Sequence, residues 1–160
     1  MSGMSRIVKT ITSITFPLIL IYGLYIIAHG HLTPGGGFQG GAVVASGCAM
    51  ILVAYGSVWT IDRIKEKHLS ALESLGAIGF IGLAFLGLIF GINVFFNNFL
   101  VGEKGLNIIF NSVAEGASNI NTAGVLPLMN FAVGLKVIAG LFVIVFVMAY
   151  ATRSKGGTTE

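Results

Sequence analysis

The chain has 160 residues, of which 55% are hydrophobic and only 9% charged, with a mean hydropathy of +0.93 and a formal charge of +3. So low a charged share, against about 25% in ordinary soluble domains, assigns the chain to lipid and leaves no stretch for a separate soluble domain. The basic residues stand singly or in one short cluster at segment ends, a pattern of membrane orientation rather than nucleic-acid binding; the lone cysteine, Cys48, excludes a disulfide framework and a thiolate set for zinc or iron–sulfur.

Long apolar runs predict four membrane spans: Ile11 to Ala28, Phe38 to Trp59, Leu75 to Phe99 and Val125 to Tyr150. At a rise of about 1.5 Å per residue each is long enough for a hydrocarbon core of about 30 Å. The first run follows Arg6 and Lys9 as the apolar part of a secretory signal would. It continues to Ala28 with no small-x-small cleavage site, and so reads as a retained span.

Between the first two spans stands HGHLTPGGGFQGG, His29 to Gly41. Pro34 fixes its own φ and disfavours helix at Thr33, while the glycines admit positive φ and close backbone approach, so the chain is expected to reverse sharply here. Gly35 to Gly40 also fits G-x-G-x-x-G. The dinucleotide fingerprint needs a preceding strand and an acid on the next strand, and a membrane span precedes this one. The glycines therefore read as steric devices. Gly37, Gly41, Ala45 and Ala49 recur every four residues as a small-residue stripe, with Gly36 and Gly40 beside it. His29 and His31 lack carboxylate or cysteine company, which makes hydrogen bonding within the loop a better reading than a metal site.

The Asp62 to His68 loop carries Arg63, Lys65 and Lys67. Glu73 follows, near the start of the third span, where the helix macrodipole favours an acid. Gly87 and Gly91 repeat the small-residue device, with Gly76, Gly79 and Gly82 earlier in the run. The loop from Gly102 to Gly124 is rich in Asn and Gly, and its LNIIFNSVAEG stretch suits a short interfacial helix. Lys136 is the single ionisable residue deep in a span, which makes it a candidate for an ion path or for pairing with another subunit. Placing Glu73 at one end of its span sets it about 15 to 20 Å from Lys136 along the membrane normal, beyond an ion pair.

Seven Lys and Arg residues fall on one side of these spans and one, Lys104, on the other. By the positive-inside rule both termini are cytoplasmic and the glycine hairpin faces outward. The expected fold is an all-α integral membrane protein with four transmembrane helices, forming a single membrane domain over residues 1–160 in the cell membrane.

GHLTPGGGFQGG, Gly30 to Gly41, resembles the G-H-x-x-P-G-G-G-F-x-G-G signature of the MnhB family, which supplies one of the smaller membrane subunits of Mrp-type sodium/proton antiporters. Chain length, four spans and the place of the motif after the first span agree with that resemblance. Matched residue by residue, the signature falls on Gly30, His31, Pro34, Gly35, Gly36, Gly37, Phe38, Gly40 and Gly41. The resemblance implies a subunit of a large assembly whose other Mrp-like membrane subunits carry the principal ion pathways. Where many bacterial members of the family carry an aspartate at the start of the last span, this chain reads Asn130, with Lys136 further on. Mrp-like modules also occur in membrane-bound hydrogenases and related archaeal respiratory complexes, and hydrogenase or related redox subunits are then implied as partners.

The function expected is thus a non-catalytic membrane subunit that contributes helix packing and lines an ion path, with Lys136 and Glu73 as candidate residues. No catalytic residue, metal or cofactor is expected, and no nucleic-acid partner. The alternative is a small stand-alone homo-oligomeric transporter. Multidrug exporters of this size depend on an acid within the first span, which this chain lacks. An integral-membrane enzyme would need metal ligands or a paired nucleophile and base, and none stands out.

Overall fold

A computed structural model describes residues 4–32, 34–64, 66–89, 95 and 124–155. They form five helices: α1 Arg6–Ala28, α2 Gly36–Tyr55, α3 Ser57–Arg63, α4 Glu66–Gly87 and α5 Leu126–Lys155. All but α3 are long and apolar enough to cross a membrane. The expected interfacial helix at 102–124 and the end of the third span, 90–99, lie outside the described residues save Phe95 and Gly124.

Helix α1 runs through Pro17. That proline has no N–H for the carbonyl of Ser13, a loss tolerated in a membrane helix when neighbouring groups compensate. The Ser13 hydroxyl contacts the Lys9 carbonyl at 2.8 Å and shares a 2.7 Å hydrogen bond with the Tyr55 hydroxyl at the end of α2. Two helix ends are tied there.

The second apolar run does not continue as one helix to Trp59. Gly56 stands at φ 89°, ψ 155°, a conformation that only glycine adopts readily, and it separates α2 from α3. Tyr55 stacks on Trp59 with ring centroids 4.8 Å apart, Lys9 lies 5.8 Å over the Tyr55 ring and Arg63 lies 5.4 Å over Trp59. Amphipathic rings beside cations are characteristic of a membrane interface.

Helix α4 begins at Glu66, nine residues ahead of Leu75. The segment 66–74 is polar enough to fall outside an apolar run, yet its Glu, Lys, Leu and Ala are good helix formers, and Glu66 sits in the first turn where the macrodipole favours it.

The long helices lie in the spatial order α1, α2, α5, α4. Helix α2 is the most enclosed of the four and α4 packs almost wholly against α5. Two apolar clusters pin α4 to α5: Leu69 with Phe142, Phe146 and Leu52 of α2 at one end, and Phe80, Leu83 and Leu86 with Val125 and Met129 at the other. Because lipid tails are as apolar as leucine, helix association here rests on close packing rather than on escape from water.

Candidate functional site

The α1–α2 turn is built from its own backbone. The His29 N–H donates to the Tyr25 carbonyl at 2.9 Å, the Leu32 N–H to the His29 carbonyl at 3.0 Å, and the Gln39 N–H to the Gly35 carbonyl at 2.9 Å. Gly35 opens α2 at φ 97°, in the left-handed region. Thr33 lies outside the described residues.

Around this turn the glycines bring three helices together. Gly30 and Gly36 meet backbone to backbone, and a Cβ on Gly40 would stand 2.6 Å from the Gly23 carbonyl of α1. On α5, a Cβ on Gly37 would stand 2.5 Å from the Asn130 carbonyl, and one on Gly41 would stand 2.8 Å from Val137 Cβ. Ile27 of α1, 1% exposed, fills the remaining space between Gly40 of α2 and Gly134 of α5. Of the signature, Gly36, Gly37, Gly40 and Gly41 are thus buried in packing within this chain, while Pro34, Gly35 and Phe38 are exposed. Further along α2, Ala45 is buried and Ala49 lines a groove of about 270 Å³ beside Ala42 and Ser46, with Leu141 and Ile144 of α5 opposite.

The two histidines differ. His29 stacks on Tyr25 with centroids 5.3 Å apart and lies 6.2 Å from the His31 ring. Loop hydrogen bonding, expected for both, fails for His31: its Nδ1 and Nε2 are buried without a hydrogen-bond partner. The turn explains this, since the N–H groups of His29, Gly30 and Leu32 already donate to backbone carbonyls and leave nothing for an imidazole. Among the described residues no three His, Cys, Asp or Glu side chains gather as a metal site.

Lys136 and Glu73 are much closer along the bundle than 15 to 20 Å. A Cβ on Gly76 would stand 2.8 Å from the Lys136 nitrogen and 3.0 Å from its Cβ, and a Cβ on Gly140 would stand 3.6 Å from the Glu73 carboxylate. Lys136 is therefore level with Gly76, and Glu73 with Gly140, which leaves about 5 Å between them along the axis. The discrepancy arises because α4 starts nine residues before Leu75, which places Glu73 two turns inside a helix rather than at its end. The side chains still do not pair. Cα–Cβ bonds lean toward the N-terminus of their helix, and in the antiparallel α4–α5 pair that sends the two side chains in opposite directions.

Beside Lys136 a groove of about 470 Å³ opens between Gly76, Ala77, Phe80 and Ile81 of α4 and Val133 and Val137 of α5. Gly87 is buried and Gly91 lies outside the described residues; Gly82 has open space where a side chain would be. Sequence reasoning missed Gly23, Asn130, Gly134 and Gly140 as the surfaces that the motif and the charged pair face. Three of these are isolated glycines within apolar runs, the one signal that could have marked them.

Residues 7–143 match the family described as a domain related to the MnhB subunit of Na+/H+ antiporter. The chain belongs to the MnhB family. An uncharacterized protein of Methanocaldococcus jannaschii is 35% identical over 155 residues, covering 93% of this chain and 55% of that protein. A Na(+)/H(+) antiporter subunit of Bacillus subtilis, the one that corresponds to MnhB, is 30% identical over 104 residues, 65% of this chain and 64% of that one. A putative antiporter subunit mnhB2 of Staphylococcus saprophyticus is 39% identical over 49 residues, 31% of this chain and 35% of that one. The chain thus spans a little over half to about two thirds of the first two relatives. With four apolar helices and this membership, the MnhB chain is a multi-pass protein of the cell membrane.

Proposed function

We propose that this MnhB chain is a non-catalytic membrane subunit of a multi-subunit Na+/H+ antiporter, or of the Mrp-like antiporter module of a respiratory complex such as a membrane-bound hydrogenase. The observation that carries the reading is the use of the family signature: Gly37 and Gly41 lock α2 to α5 and Gly40 locks it to α1, so the motif shapes a scaffold. Its partners are other Mrp-like membrane subunits and, in the respiratory setting, redox subunits. Asn130 at the place of the bacterial aspartate and the near-complete coverage by an archaeal relative favour that setting.

Arg6, Lys9, Arg63 and Lys67 gather at the end of the bundle opposite the glycine turn, which supports cytoplasmic termini and an outward hairpin. Lys136 and Glu73 serve as the polar positions of the scaffold, either along an ion path or at a subunit contact. The test is native mass spectrometry of the tagged chain purified from its own membranes in mild detergent. Antiporter-like subunits are expected to co-purify, and nickel or iron–sulfur subunits would place it in a respiratory enzyme. A clean monomer or homodimer would refute the reading.

A further inference from the structure

Lys136 stands ten residues from the start of the membrane-crossing stretch Leu126–Ala151 and fifteen from its end. That puts it about 15 Å and about 22 Å from the two ends, too deep for its stem to lift the ammonium to a headgroup. It is exposed, and among the described residues it makes no ion pair or hydrogen bond. The nearest acid along the α4–α5 seam, Glu73, leans away from it toward the other end. An isolated ammonium facing hydrocarbon is among the costliest arrangements a span can present, so a counter-charge has to come from outside these helices.

The surface around Lys136 is shaped for such a visitor. Gly76 and Ala77 keep the α4 wall low, Ile81 and Val133 flank it, and Val137 lies one residue beyond the lysine on α5. Small residues of this kind let a neighbouring helix approach closely. Among the described residues, helix α4 packs on α5 and leaves its remaining faces bare. We infer that the α4–α5 groove seats a transmembrane helix of another subunit that presents an aspartate or glutamate carboxylate to Lys136 at mid-membrane depth. Glu73, one turn away, then extends the contact into a short acid–lysine–acid series. The inference rests on the assembly reading above and adds to it the docking face and the chemistry of the partner helix.

The test treats the purified native complex with dicyclohexylcarbodiimide, which activates carboxyl groups in apolar surroundings for attack by an adjacent amine, and maps the resulting links by mass spectrometry. The expected product joins Lys136 to an acidic residue in a membrane helix of a different subunit and is absent from the Lys136→Arg complex. Lys136→Met is expected to lower the yield of intact complex roughly tenfold, while Lys136→Arg, which keeps the charge, retains it. An intact wild-type complex in which Lys136 links to Glu73, or to nothing, overturns the inference and leaves the assembly reading standing. So does a Lys136→Met complex recovered at wild-type yield. A wild-type chain that purifies alone removes both.

Discussion

Helix α5 meets α2 along one side and α4 along the other, and both seams are built on glycine. Along α2 the glycines are consecutive partners of backbone and branched side chains: Gly37 faces the Asn130 carbonyl, Gly41 faces Val137, and Ile27 closes the gap beside Gly134. Along α4 a single tight approach, Gly76 on Ala132 and Lys136, is followed by the looser meeting of Gly140 with Glu73, and a groove stays open between. The same residue type thus makes a closed joint in one place and an accommodating one in the other. The difference lies in what stands opposite: rigid backbone at the first seam, long charged side chains at the second.

Substitutions on the two seams put this contrast to the test. Gly37→Leu and Gly41→Leu are expected to have the largest effect, about 2–3 kcal/mol of overpacking, read as a fall of roughly 5–10 °C in the melting midpoint of the detergent-solubilised protein. Melting unchanged by either would show that the α2–α5 joint yields easily. Gly35→Ala comes next. At φ 97° an alanine pays for a left-handed backbone, an expected loss of about 1–2 kcal/mol in the same melt, and a loss no larger than for an alanine elsewhere in the turn would argue against that strain.

Smaller effects are expected at the second seam. Gly140→Ala places its Cβ at ordinary contact distance, 3.6 Å, from the Glu73 carboxylate, so stability should hold within about 0.5 kcal/mol, and a drop comparable to that of Gly41→Leu would mean that this seam is as tight as the other. Tyr55→Phe removes the 2.7 Å hydrogen bond to Ser13 and should cost about 0.6 kcal/mol, the usual worth of a polar contact between membrane helices. Gly82→Leu, which meets nothing within 4 Å, should leave the melt unmoved unless another subunit covers that face, in which case the yield of the complex falls while the isolated chain is unaffected.

The four long helices were legible because a membrane span announces itself by apolar length. Their ends were not. Gly56 lies in a stretch that stays apolar through Trp59, so hydropathy alone could not show the break that its backbone makes. The start of α4 was missed for the opposite reason, since a helix persists through polar residues that an apolar count leaves out. That one boundary displaced Glu73 by two turns and hid its nearness to Lys136. The stripe Gly37, Gly41, Ala45, Ala49 was readable from its spacing, but the surface it meets, Asn130 and Gly134 on a helix some ninety residues later, depends on a pairing that spacing does not encode. The orphaned nitrogens of His31 had no signal in the sequence, because they follow from how the turn uses its own N–H groups.

That α4 leans on α5 has a consequence for biosynthesis. Helices α1 and α2 are joined by a tight turn and can pack as soon as both have left the ribosome, whereas α4 is made well before the one long helix, among the described residues, that it packs against. Until the last helix is threaded into the bilayer, α4 has to wait there alone, with Glu73 facing lipid, which makes the arrival of α5 the step that completes the subunit.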